Sequence, residues 1–204
     1  MRSSLSTVTL PLAVGLFVGV AGPLLESMDG QLSHAVSVTL VAGWMYSLLA
    51  FFAGLMAKSM KQSGVMGFAS LFVTVLAYYV TKAIQGDFVA PDFSDPTGKA
   101  THFAWQDFLS MLVLWWAFAL LFGSLCGFAG YYSRKAYHLG LRLACQLVVP
   151  VVIVCETTMR LSVEASRQDA LVGNTWDITR MLAVAAIVAL AGGTAFSARR
   201  RRAC

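Results

Sequence analysis

LACQLVVPVVIVCETTMRL, residues Leu143–Leu161, decides the fold. A membrane-spanning helix needs roughly 20 mainly apolar residues. This stretch supplies them with one acid, Glu156, well inside it and one base, Arg160, at its end. Working outward, five more blocks of the same kind appear: Leu5–Leu25, Ala35–Ala57, Val65–Ile84, Phe108–Tyr131 and Ile178–Phe196. Six spans and short connections use up all 204 residues, so 1–204 reads as a single six-helix transmembrane domain. Helix is the expected structure throughout. Unpaired backbone groups cannot face lipid, and these blocks lack the two-residue alternation of barrel strands.

Composition agrees. The chain is 58% hydrophobic and 12% charged, too little polar surface for a water-soluble domain of this size. The net charge of +5 does not point to nucleic acid, because the basic residues sit at the ends of the blocks. Their distribution predicts an orientation. Arg2, Lys58, Lys61, Arg134, Lys135, Arg142, Arg199, Arg200, Arg201 and Arg202 fall on one side, and Lys82, Lys99, Arg160, Arg167 and Arg180 on the other. An excess of ten to five puts both termini in the cytoplasm of a multi-pass inner-membrane protein. Glu26, Asp29, Asp87, Asp92, Asp95, Asp107, Glu164, Asp169 and Asp177 all fall on the outer side. The first block is too long for a typical signal-peptide core and lacks a clear cleavage site, so it reads as a retained span. The basic tail anchors the last helix to the anionic inner leaflet.

Gly15-xxx-Gly19-xx-Gly22 in the first block is echoed by Gly123-xxx-Gly127-xx-Gly130 in the fourth. Three spans apart, the two helices run in opposite directions, as a weak inverted 3+3 repeat would require. Two independent close-packing faces explain the same spacing more simply. Further landmarks are Gly43-Trp44, Ala50-Phe51, Gly54, Ala77-Tyr78-Tyr79, Trp115-Trp116-Ala117, Pro150 and Glu156. With the second glycine triplet, they resemble an uncharacterised family of small six-helix actinobacterial integral membrane proteins, known only as a domain of unknown function. The resemblance spans most of the chain. It implies a six-helix membrane protein and no reaction, ligand or site.

The chemistry-bearing candidates are few. An ionisable group in the hydrocarbon is costly, which makes Glu156 the leading site candidate. Pro150 upstream can kink the helix, and Arg160 is placed for an i,i+4 ion pair. An ordinary interfacial pair with Arg160 is the plainer expectation. Lys82, Arg160 and Arg180 lie at the outer ends of three spans and together would hold an anionic group, unless each simply snorkels to the interface. Trp44, Tyr78, Trp115 and Trp116 lie deep enough to line a pocket for a lipophile or a cation, or to pack. The outer connection, residues 85–107, carries Phe88, Phe93, Phe103 and Trp105, and is expected to fold over the outer mouth as a lid.

His34 and His102 lack metal-ligand spacing, and Cys126, Cys145, Cys155 and Cys204 form no CxxC pair, so neither a metal nor a disulfide is expected. No phosphate-binding glycine loop or nucleophile elbow is present, and no cofactor is implied. The leading expectation is a permease-like or binding component with an outward-facing cavity, handling a small or lipophilic molecule among membrane lipids. The alternatives are an embedded enzyme acting on an isoprenoid-like lipid, with Glu156 as general acid, and a non-catalytic subunit docking a partner helix on its glycine faces.

Overall fold

The computed structural model describes residues 2–92, 100–164, 168 and 170–203, with the side chains of residues 2–7, 195 and 197–203 excepted. Phe93, Asp95, Lys99, Arg167, Asp169 and Cys204 lie outside the described residues, as do the side chains of Arg2 and of the arginines at 199–202. The fold is all-α apart from one small hairpin. Its helices are α1 (Arg2–Glu26), α2 (Gln31–Leu40), α3 (Gly43–Met56), α4 (Met60–Gln85), α5 (Trp105–Phe118), α6 (Ser124–Lys135), α7 (Leu139–Val163) and α8 (Ala170–Ala203). A single π-helical turn, Ala119–Gly123, joins α5 to α6. Among the described residues, five stretches are long and apolar enough to cross a membrane: Val8–Glu26, α4, α5 through α6, α7, and Ala170–Thr194. A sixth crossing results if α2 and α3, bent by 50° across Val41–Ala42, count as one broken span. The block Ala35–Ala57 therefore needs correction: it is two half-helices, not one rod.

α4 is the central strut. Ser63, Gly67, Ser70, Thr74, Ala77 and Thr81 recur every three or four residues, which puts them on one stripe. Being small, they let neighbouring backbones come close. α1 lies on that stripe through Gly15 and Gly19: a Cβ on Gly15 would sit 2.7 Å from the Ser70 carbonyl oxygen. α6 lies on it through Gly123 and Gly127, where a Cβ on Gly123 would sit 2.9 Å from the Gly67 oxygen. Gly130 and Gly127 also press α6 onto α3 at Phe51 and Gly54. The buried hydroxyls of Ser63, Ser70, Thr74 and Thr157 donate to carbonyls three or four residues back, so none is left unsatisfied. Ser59 caps α4 by accepting from the Gln62 N–H, and Gly86, in the left-handed region at φ 93°, ends it.

The size distribution is that of a protein in lipid. Ala42, Ala50, Ala57, Ser63, Ser70 and Thr74 are fully buried, while Phe17, Phe52, Leu121, Phe122, Leu182 and Val188 are exposed. Large apolar side chains facing outward all round the bundle suit acyl chains, and a water-soluble domain would have them inside. α8 packs on α7 and α2. Its Val172 and Trp176 form a small cluster with Ala35. α7 is helical straight through Pro150.

The connection between α4 and α5 contains an antiparallel strand pair, Val89–Pro91 with Thr101–Phe103. Phe88, Phe103, Trp105 and Phe108 make an aromatic knot that rests on Tyr79. The hairpin sits beside the ends of α4 and α5. None of its described residues lines the chambers around Glu156 and Arg160, and Phe93 with the rest of its turn lies outside the described residues.

Candidate functional site

The break between α2 and α3 creates the site. Every helix start leaves backbone N–H groups without intrahelical partners, and no water is present in a bilayer core to receive them. Ala42, in extended conformation at the N-cap of α3, has no side-chain acceptor to offer. Glu156 reaches across from α7 instead. Its Oε1 accepts from the Gly43 N–H at 3.0 Å and its Oε2 from the Trp44 N–H at 2.6 Å. The positive end of the α3 dipole faces the carboxylate. A Cβ on Gly43 would lie 3.1 Å from Oε2 and would press the carboxylate back by a few tenths of an ångström.

Arg160 completes the arrangement. Its Nε donates to Glu156 Oε1 at 3.1 Å and its Nη1 to Glu164 at 3.3 Å. The guanidinium lies over the Trp176 ring of α8, 5.5 Å from the centroid. Glu156 is therefore both the expected partner of Arg160 and the cap of a half-helix on another span.

Two chambers meet at this carboxylate, and a third adjoins the second at Val41, Tyr78 and Arg160. The largest, about 570 Å³, lies between α3, α4, α5 through α6, and α7. Leu71, Val75, Phe118, Phe122, Val148 and Val152 give it apolar walls, with Glu156 and Ser47 as polar groups. Trp115, Phe118, Phe122 and Leu125 at its edge are exposed, so it opens sideways toward the lipid. A second chamber of about 240 Å³ shares Gly43, Tyr46, Val75, Trp115 and Glu156 with the first and adds Tyr78, Tyr79 and Arg160. A third, about 140 Å³, continues past Tyr78 and Arg160 to Glu26, His34 and Ser37. The series runs from an apolar, lipid-facing groove to the acid-rich end of the bundle.

Of the expected site residues, Glu156, Arg160, Tyr78 and Trp115 meet at these chambers. Trp44 takes part through its backbone N–H. Trp116 stacks on Phe72 at 4.4 Å, its indole N–H buried without a partner. The expected three-cation cluster is not assembled. Lys82 pairs with Glu26 and Asp87 at 3.0 and 2.8 Å, and Arg180 pairs with Asp177 on its own helix. Each base is held by the acids nearest to it along its span end, so Arg160 alone of the three reaches Glu156. His34 is held by Gln168 through Nε2 at 3.0 Å.

Tyr46, Ser47, Phe118, Phe122 and Cys126 also line the cavity and carried no sequence signal as a set. The π turn shifts the facing of α5 relative to α6, which defeats any count by helical period. No protein-family model, no curated protein and no solved structure matches this chain.

Proposed function

We propose that the protein is a six-span inner-membrane protein, both ends cytoplasmic, that binds an amphiphile as a permease-like or binding component. In this reading α2 and α3 form one broken crossing. The observation that carries it is the lipid-facing apolar groove ending at the Glu156–Arg160 pair. A chain fits the groove, and a polar head fits the chambers beyond. The chambers adjoin toward the acid-rich end, which the ten-to-five excess of basic residues places outside. Transporter folds also use broken helices, but there the half-helix N-terminus faces an anionic group of the substrate, a place that Glu156 itself fills here.

The rival readings have less support. As a general acid, Glu156 would need an O–H directed at the substrate, but its oxygens accept three hydrogen bonds and keep one free direction, on Oε2. A partner helix docking on the two glycine triplets would need them free, but Gly15, Gly19, Gly123 and Gly127 are covered by α4. The same shared contact favours two packing faces over an inverted repeat, since α1 and α6 both lie on α4 while α8 lies on α7 and α2.

A photoactivatable fatty-acyl probe in reconstituted membranes tests the reading. Adducts are expected on Phe118, Phe122, Val148 and Val152. Adducts spread evenly over the outer faces of α7 and α8, with none in the groove, would refute it.

A further inference from the structure

The second chamber has a chemical preference of its own. Tyr46, Tyr78, Tyr79 and Trp115 contribute aromatic side chains to its wall, and Glu156 contributes a carboxylate. Ring faces attract cations, most strongly where water is excluded, over a range of about 6 Å. A space of about 240 Å³ has room for an alkylammonium head to lie against these walls.

The charges around it point the same way. Arg160 is shared between Glu156 and Glu164, which leaves that group one negative charge in excess. Lys82, adjacent to Tyr78, is shared between Glu26 and Asp87, with the same result. Of these groups only Glu156 and Arg160 line the chamber, so its wall offers an anion no undivided base. Glu156 also keeps capacity. A carboxylate oxygen has two acceptor directions, and the hydrogen bonds of Oε2 account for one, from Trp44. Oε1 is filled by Gly43 and Arg160.

We propose that this chamber is a binding site for a lipophilic organic cation. The charged nitrogen of an alkylammonium sits among the four rings beside Glu156 Oε2, and its hydrocarbon part lies in the apolar groove. The site rests on the amphiphile-binding reading above and names the headgroup class. Neither a phosphate nor a carboxylate head has this fit, because the one base within the chamber wall is already divided between two acids.

The experiment is equilibrium binding of radiolabelled dodecyltrimethylammonium, dodecanoate and dodecyl maltoside to the full-length protein in nanodiscs of neutral lipid, with empty nanodiscs subtracted. The trimethylammonium probe is expected to bind about tenfold more tightly than either of the others, as one to two ring contacts would supply. Tyr78→Leu, which leaves the α3 cap in place, is expected to remove most of the trimethylammonium probe's preference over dodecyl maltoside. Equal affinity for all three probes overturns the cation site while leaving the amphiphile groove standing. Tightest binding of dodecanoate overturns it in favour of an anion site. A preference that survives both Tyr78→Leu and Tyr46→Leu also overturns it. Failure of all three probes to bind overturns the groove reading itself, and the cation site with it.

Discussion

Glu156 shows how one residue is both legible and illegible. Its depth in an apolar block and the arginine four residues on mark it in the sequence as a paired, costly group. Its other partners are backbone N–H groups 112 and 113 residues away, and backbone donors have no sequence signature. The consequence is energetic. Hydrogen bonds to a charged group are worth about 1.5–3 kcal/mol each, more than an ordinary neutral cap. Glu156→Ala is expected to lower the unfolding free energy in detergent by about 2–4 kcal/mol, and Glu156→Gln by less, because the amide keeps one acceptor oxygen. An unchanged Tm for both variants would mean that the cap contributes nothing. Arg160 and Lys82 offer a contrast. Arg160→Ala leaves the largely buried Glu156 without its charge partner and is expected to cost more than about 2 kcal/mol. Lys82→Ala frees two carboxylates that are nearly half exposed and is expected to cost under about 1 kcal/mol. Equal losses in paired thermal denaturations would contradict this ranking.

Among the elements, the glycine triplets in α1 and α6 were readable as packing faces, and the structure gives them one neighbour in common, α4. Gly127→Leu would drive a side chain into the Ser63 backbone, whereas nothing lies within 4 Å of a Cβ on Gly192. The first substitution is expected to abolish a monodisperse peak in size-exclusion chromatography and Gly192→Leu to preserve it; matching profiles would show that α6 does not need its close approach. The α2–α3 break was not readable. Hydropathy registers only composition, and a break capped from another helix leaves composition untouched. The π turn was hidden for the same reason. A π turn is in effect a one-residue insertion, so deleting Leu120 should restore regular helix and turn α5 by about 100° against the anchored α6. Trp115 would leave the groove. Acyl-probe labelling of the groove is then expected to fall severalfold while the protein stays folded; unchanged labelling would show that the turn does not shape the cavity.

At the scale of the whole molecule, charge gives an orientation that the packing alone does not. The basic residues Lys58, Lys61, Arg134 and Lys135 gather at the end holding the α3–α4 and α6–α7 connections, and Arg134 donates to the Ala57 carbonyl there at 3.0 Å. With Cys126, Cys145 and Cys155 replaced by serine, Cys204 is expected to resist an impermeant thiol reagent in intact cells and to react after lysis. Labelling from outside would reverse the topology. What the sequence by itself determined is the helical, membrane-compatible class, the approximate positions of the spans and the segregation of charge to opposite ends. Each of these follows from composition summed over a stretch of about 20 residues. What only the tertiary structure decided is where the block Ala35–Ala57 breaks, which bases reach Glu156 and which aromatics share a chamber. These depend on the rotation and contact of distant helices, and small side chains permit many such contacts. In lipid, burying apolar surface does not choose among them, so the choice falls to close backbone packing and to the satisfaction of each exposed polar group.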